Sequence, residues 1–439
     1  MADKKDISAL DKAHVWHPFT QMRDASPPIE IVSGRGAELF GADGKTYIDL
    51  VSSWWVTIHG HAHPVIAKAI AAQAEKLEQV IFADFTHAPA ARLAARLADL
   101  LPGDLSKVFY SDNGSTSVEV AMKIAWQYWR NMGNSGRKRF LSFSGGYHGD
   151  TLGAMSLGAS TGFYAPFEDQ LLDVEFLPYP DTWIGDNESA EKEAVSLAAL
   201  DACLDRHGDE LAAVIIEPLI QGAGGMRMCR PEFLAALCHR LREAGVLLIF
   251  DEVMTGFGRT GEMFACEKAD VVPDIICLAK GLTGGFLPLA ATVCSEDIFE
   301  AFYGDDFSRA FAHGHSFTAN PLGCAAAHAS LDLFTQENTL VNIEMIESAH
   351  RRGLAELSDI AGVERARLMG SVAAFDIGRR GEGYGAEIGA TLKQAFIERG
   401  YLIRPLGNVV YLMPPYCITK AALEESYDAI AGVLATIVI

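Results

Sequence analysis

The chain is short of positive charge. Its 36 lysines and arginines face 57 aspartates and glutamates, for a formal net charge of −21. A polyanion would be repelled over most of such a surface, so neither nucleic acid nor an anionic membrane is expected as a main partner. There is no long uncharged apolar run of membrane-spanning length, and the charged opening MADKKDISALDKAHVW leads into no apolar segment of secretory type. The eight cysteines, at 203, 229, 238, 266, 277, 294, 324 and 417, form no CxxC pair and no regular spacing. That argues against a zinc ribbon and a disulfide framework, and suits small buried hydrophobes in a reducing, cytoplasmic setting. Internal repeats and low-complexity tracts are missing too. The segment 181–193, rich in Asp, Glu and Asn, is the weakest candidate for order.

What is present is a chain of 439 residues, 49% hydrophobic and 21% charged, long enough for two domains and a large core. Its most informative stretch is 245–285, GVLLIFDEVMTGFGRTGEMFACEKADVVPDIICLAKGLTGG. The apolar run 246–250 reads as a strand buried on both faces, with Asp251 and Glu252 at its carboxyl end. Lys280 stands 29 residues beyond Asp251, after a second short apolar run and ahead of a glycine-rich turn. Open α/β sheets place ligands at such strand ends. An acid there keeps a heterocyclic nitrogen protonated, and a lysine among apolar neighbours loses its proton and attacks an aldehyde. That is the minimal kit for pyridoxal phosphate, with Lys280 forming the Schiff base and Asp251 facing the pyridinium nitrogen. Spacing alone also fits a solvated lysine and an ordinary acid pair.

Along the chain, AELFGADGKTYIDL reads as a hairpin turning at Asp43 and Gly44, and helical spacing marks 64–78 and 88–101. Strand ends followed by glycine or acid then recur in VFYSDNGS, RFLSFSGGYHGDT, LAAVIIEPLIQGAGG, GVLLIFDEV and DIICLAKG. This alternation with helices predicts an α/β fold with a mostly parallel sheet under helical covers. After Asn320 the texture changes to helices at 323–334 and 340–357, short strands in SVAAFDI and YLIRPLGNVVYLMPP, and helices at 386–398 and 420–436. Expected units are an N-terminal segment 1–63, a large domain 64–330 and a smaller α+β domain 331–439.

Asp112, Asn113, Gly114 and Ser115 lie between a strand and a helix, where backbone N–H groups can hold a phosphate dianion or simply cap the helix. HGHAH, 59–63, offers three histidines without a cysteine or carboxylate cluster, so it reads as structure and no metal is expected. QGAGG, 221–225, lacks the Lys-Ser/Thr ending of a nucleotide loop.

DEVMTGFGRTG followed by the LAKGLTGG lysine resembles the class III (ω-type) pyridoxal-phosphate aminotransferases, and further matches extend over nearly the whole chain. WHPFTQM (16–22), SSWW (52–55) and SGGYHGDT (144–151) resemble a biotin-pathway branch that moves an amino group from S-adenosylmethionine onto 8-amino-7-oxononanoate. The resemblance implies fold type I: a large domain with a mostly parallel seven-stranded sheet, plus a small domain built from both chain ends. It also implies a homodimer with shared active sites. Gly114 and Ser115 then bind the cofactor phosphate, joined by His315 and Ser316 from the other subunit. Tyr147 stacks on the ring, Val253 packs under its opposite face, and Asp150 supports Asp251 through a hydrogen bond. Lys280 moves the proton between substrate carbon and cofactor. Arg404 takes the substrate carboxylate, Trp54 and Trp55 form flat apolar walls, and Gly314 lines the site. Arg259 is a second specificity residue by this likeness, although arginines in glycine loops are often merely solvated. Phe19 departs from members that carry a tyrosine there, which removes a hydroxyl from the site. Rival readings are a lysine-donor variant, an ornithine or 4-aminobutyrate ω-transaminase, a pyridoxal-phosphate mutase or decarboxylase, and a non-enzymatic binding protein.

Overall fold

The apolar runs become the strands of one seven-stranded sheet in the computed structural model, which describes residues 7–158, 164–378 and 387–437. Across the sheet the order is Leu105–Ser111, Ala290–Ser295, Ile275–Leu278, Leu247–Asp251, Leu211–Ile216, Arg139–Phe143, Val174–Leu177. Every pairing is parallel except the two made by Ala290–Ser295. Leu211–Ile216 and Leu247–Asp251 are buried at every position because they lie inside the sheet and are covered on both faces. Side chains alternate between the faces. Ile249, Ile275 and Cys277 pack with Val118, Ala121, Met122 and Ala125 of the helix Gly114–Asn131, whereas Leu248, Phe250, Ile276 and Leu278 join the larger core on the other side. Each large apolar side chain buried this way contributes about 1.5–3 kcal/mol.

The helix Gly114–Asn131 starts where it does because Asn113 and Thr116 cap each other: the Asn113 side chain accepts from the Thr116 N–H at 3.1 Å, and the Thr116 hydroxyl oxygen accepts from the Asn113 N–H at 3.0 Å. Ala88–Leu100 is capped by His87, whose Nδ1 accepts from the Ala90 N–H. The helix expected over 64–78 stops at Ala74, where the chain turns and the Gln73 side-chain amide donates to the Leu77 carbonyl.

At the chain ends, Ile31–Arg35, Glu38–Gly41 and Thr46–Asp49 pair antiparallel, with the hairpin turning at Asp43 and Gly44. Tyr401–Leu402 adds in parallel beside Thr46–Asp49, so N- and C-terminal segments share one sheet. Val363–Met369, Val372–Ile377 and Val409–Leu412 form an antiparallel sheet, against which Thr339–Leu357 packs; that helix also meets Lys420–Ile437, which contacts Glu387–Glu398. Residue 386, the expected start of that last helix, lies outside the described residues.

Two expectations are corrected. The segment 181–193 is fastened rather than loose: the Thr182 N–H bonds the Met228 carbonyl at 2.7 Å, Ile184 bonds Ala366, Lys192 lies over the Trp183 ring, and Ser189–His207 already begins a helix. Seven cysteines are buried as free thiols, but Cys417 is exposed. Among the described residues no helix is long and apolar enough to cross a membrane, and no group of three metal-ligating side chains occurs.

Candidate active site

Parallel strands end at the same edge of a sheet, and here that edge collects the chemistry. Glu217 follows Leu211–Ile216, Asp251 closes Leu247–Asp251, Lys280 follows Ile275–Leu278, and Gly114 follows Leu105–Ser111. Tyr147 and His148 come just after Arg139–Phe143.

Lys280 has a φ of +45°, in the left-handed region that costs a non-glycine residue about 1–2 kcal/mol. The Ala279–Gly284 turn holds it there, with Leu282 N–H on the Ala279 carbonyl at 3.0 Å and Gly284 N–H on Gly281 at 2.9 Å. Ser330 Oγ donates to the Gly281 carbonyl and lies 3.1 Å from His59 Nε2. Burial holds the His59 imidazole neutral, its pKa pushed down to about 3. His61 pairs with Asp49 at 2.9 Å and His63 with Glu337 at 3.1 Å, so each histidine of HGHAH has a structural partner. The Lys280 amine lies 4.6 Å from the centre of the Trp55 ring. Burial pushes its pKa down to about 8, with Asp251 and then Glu217 pulling the other way.

Asp251 is 4% exposed. Its Oδ2 lies 2.7 Å from His148 Nδ1, and its Oδ1 accepts from the Val253 N–H at 3.1 Å. This corrects the expectation for Asp150, which does not support Asp251. Asp150 is exposed; its carboxylate accepts from the Tyr147 hydroxyl at 2.9 Å, and its N–H donates to Ser115 Oγ at 3.1 Å. Glu217 is a further buried acid. It accepts from the N–H groups of Tyr147 at 3.0 Å and Gly222 at 2.9 Å, and burial raises its pKa to about 7 against the pull of His148. Glu252, beside Asp251, caps the helix Ala265–Lys268 by accepting from the Ala265 and Cys266 N–H groups.

At the phosphate turn, Asn113 occupies the Thr116 N–H, and among the described residues nothing accepts from the N–H groups of Gly114 and Ser115. These are orphan donors at the positive end of an 18-residue helix. A Cβ at Gly114 would sit 2.5 Å from Val253 Cγ1, so only glycine lets this turn close on Val253.

The cleft above this floor has a volume of about 320 Å³. Pro18, Phe19, Trp54 and Trp55 form one side, Ala223, Leu406 and Tyr411 line it further, and Tyr147, Asp150, Lys280 and Arg404 bring polar groups. Arg404 lies 4.3 Å from the Trp54 ring, and no carboxylate among the described residues pairs with it. Phe19 meets Trp54 edge-on at 5.9 Å. The Trp55 indole N–H donates to the Tyr411 hydroxyl at 3.0 Å. The turn bearing both tryptophans is strained, with φ of +50° at Ser52, +61° at Ser53 and +68° at Trp55. Asp49, fully buried, holds it: one oxygen accepts from Val51 N–H at 3.0 Å, the other from Ser53 N–H at 2.6 Å and from His61.

Arg259 is neither solvated nor in the cleft. It is 1% exposed and lies behind the wall, donating to the carbonyls of Trp55 at 3.3 Å and Pro414 at 3.2 Å, 5.0 Å from the Tyr416 ring. Gly314, His315 and Ser316 do not line the cleft of their own chain. His315 Nδ1 lies 2.9 Å from Asp112 Oδ2, beside the phosphate turn, and the Ser316 carbonyl accepts from the Gln79 side chain. A larger open groove, about 1500 Å³, lies towards the far end of the helix Gly114–Asn131 and contains none of the floor groups; its Arg139 is already paired with Glu210 and Asp173.

Sequence reasoning passed over His148, Glu217 and Tyr411. Glu217 repeats the pattern that exposed Asp251, an acid directly after a buried apolar run, and His148 sits beside the singled-out Tyr147.

Residues 20–434 match the family model described as aminotransferase class-III. A Synechococcus elongatus protein named adenosylmethionine-8-amino-7-oxononanoate aminotransferase is 55% identical over 421 residues, 96% of this chain and 98% of the relative. The crystal structure of the enzyme of that name from Methanocaldococcus jannaschii superposes with a TM-score of 0.90 at 35% identity, covering 99% of both chains. An amine transaminase from an uncultivated Pseudomonas species, solved in its pyridoxal-phosphate-bound form, superposes with a TM-score of 0.89 at 32% identity, covering 96% of this chain and 98% of that one.

Proposed function

Since this chain belongs to the class-III aminotransferases and is a pyridoxal-phosphate enzyme, we propose that it moves an amino group from S-adenosylmethionine onto the 7-keto carbon of 8-amino-7-oxononanoate, giving 7,8-diaminononanoate on the way to biotin. The observation that carries the substrate reading is Arg404: a guanidinium stacked on Trp54, with no carboxylate partner among the described residues, in an apolar cleft that also contains Lys280. A long aliphatic substrate with a terminal carboxylate suits such a cleft, because a planar guanidinium grips a carboxylate with two hydrogen bonds.

The residues fit the cofactor. Lys280 would hold its aldehyde, Asp251 its ring nitrogen, Tyr147 one ring face, and the open N–H groups of Gly114 and Ser115 its phosphate. When bound, pyridoxal phosphate supplies an electrophilic carbon for amines and a ring that draws electron density from the carbon losing its proton. The chain supplies the rest. Burial depresses the Lys280 amine to about 8, so far less work is needed to strip its proton than for an ordinary lysine, and the neutral amine can then accept a proton and return it. Asp251 stays in place because His148 and the Val253 N–H grip both its oxygens. Tyr147 is fixed at both ends, its N–H on Glu217 and its hydroxyl on Asp150. Trp54, Trp55 and Phe19 shed water from the cleft and leave Arg404 as its cationic anchor.

The enzyme works as a homodimer in which Gly314, His315 and Ser316 reach the partner's phosphate site. This reading is supported by the exposed Ile81 at 64%, Phe85 at 60% and Phe317 at 62%, on segments that meet where the Gln79 side chain bonds the Ser316 carbonyl. Its compartment is the cytoplasm, which suits eight free thiols.

S-adenosylmethionine added alone should change the cofactor absorbance, with ping-pong kinetics once the keto acceptor follows. The gene should also rescue a biotin-requiring strain, and its Lys280→Ala variant should not. Turnover of lysine, ornithine or 4-aminobutyrate with no activity on the oxononanoate would overturn the substrate pair. Mixed dimers of Lys280→Ala and a His315 variant should recover part of the activity that each lacks alone; no recovery would remove the shared site.

A further inference from the structure

Ala223 belongs to the turn 222–226 between the paired strands Ile220–Gln221 and Arg227–Met228, where the N–H groups of Gly225 and Met226 bond the Gly222 carbonyl. Gly225 has a φ of +102° and Met226 one of +51°, and a Cβ at Gly222 would lie 3.1 Å from the Trp55 ring, so the segment presses directly on the tryptophan wall. It is gripped from two sides by buried charged groups. Glu217 takes the Gly222 N–H from the large sheet. From the other side comes Arg367, on Val363–Met369 of the C-terminal sheet: Nε donates to the Met226 carbonyl at 2.8 Å and Nη2 to the Gly225 carbonyl at 2.6 Å. Its remaining nitrogen, Nη1, is 2.8 Å from both Asp376 Oδ1 and the Arg365 carbonyl. Arg367 is 6% exposed.

A buried ion pair gives little net stability, because desolvation offsets most of the attraction. A well-packed apolar pair in place of both Arg367 and Asp376 would serve core stability as well. What the guanidinium provides instead is a rigid fork that sets two loop carbonyls at fixed positions relative to a different sheet. We propose that Arg367 is a positioning residue for the substrate cleft, holding the Ala223 wall at the spacing from Trp55 that an extended substrate chain requires. The inference rests on the substrate reading above only for the compounds used to test it. It makes the C-terminal sheet a determinant of substrate fit without contact with substrate.

The test uses the cofactor-loaded enzyme and the variants Arg367→Met and Arg367→Lys. In Arg367→Met the KM for the keto acceptor should rise at least tenfold with kcat within threefold, and the amides of 222–226 should exchange with deuterium at least tenfold faster. Arg367→Lys keeps the charge facing Asp376 but cannot span both carbonyls, so its KM should rise at least threefold with the melting temperature nearly unchanged. A melting temperature that falls while KM stays within 1.5-fold and exchange at 222–226 is unaltered would reduce Arg367 to a structural tie and overturn the proposal. If Arg367→Met does not fold, Arg367→Lys decides by the same KM limits. Should the wild type use only simple ω-amines, the substrate reading fails, and the same KM and exchange comparison with those amines still decides the role of Arg367.

Discussion

The floor and the wall of the cleft are built on different terms. Asp251 and Glu217 are 4% and 5% exposed, each with both carboxylate oxygens engaged and each set at the end of a strand locked between neighbours. Trp54 and Phe19 are 40% and 51% exposed and stand on segments near the N-terminus, held by one buried acid and by each other. Burial costs the floor charges solvation, and the hydrogen bonds that offset it also freeze their geometry. The exposed rim of the wall at Trp54 is not buried in that way. Chemistry is therefore stored where the fold is stiffest, and substrate choice where it is most open to change.

Substitutions should separate the two regions by size of effect. Lys280→Ala should lower turnover to about one ten-thousandth or less, because covalent hold and proton transfer go together; initial rates and loss of the bound-cofactor absorbance check this. Asp251→Asn should cost on the order of a hundred- to a thousandfold in kcat with the cofactor still bound, measured by steady-state kinetics beside an absorbance titration. Arg404→Met should act on the other region, raising KM for the carboxylate substrate roughly ten- to a hundredfold while the rate with a carboxylate-free amine stays near that of the wild type. An equal loss on both substrates would erase the distinction between floor and wall.

The pH dependence belongs to the floor. The Lys280 amine must shed its proton before it can attack the cofactor aldehyde, so reloading of the cofactor-free chain should quicken about tenfold per pH unit up to about 8 and level off above. The same shift acts on stability with a definite sign. Between about 8 and the ordinary 10.5 the folded cofactor-free chain binds fewer protons than the unfolded one, so its stability should rise with pH there. A reloading profile that keeps climbing to pH 10 would return the Lys280 amine to the ordinary lysine range. The smallest change should come from Phe19→Tyr, which restores one hydroxyl at the wall; a shift in KM of about tenfold at most is expected, since one neutral hydrogen bond contributes about 0.5–1.5 kcal/mol.

The same contrast explains what could be read from the sequence. Asp251, Lys280 and Gly114 announce themselves by local pattern, an apolar run broken by a polar or glycine residue, because a buried strand and its end leave that mark. The parallel sheet follows from the recurrence of such runs. The partner of Asp150 is not legible locally, because Tyr147, His148 and Asp150 are near neighbours in sequence but face different ways, one inward to Asp251 and two outward to each other. Arg259 reads as a second specificity residue among glycines; only the tertiary fold shows that it lies behind the wall, donating to the Trp55 and Pro414 carbonyls. Arg367 left no local sign, since its partners at 225 and 226 lie some 140 residues away in the chain.

Asp49 carries a last implication. A single interior acid, far from any reacting atom, keeps the backbone turn of both tryptophans in shape by gripping main-chain groups and not the rings. A single codon change at the exposed Trp54 can therefore re-line the cleft for a different molecule while the turn keeps its main-chain hold.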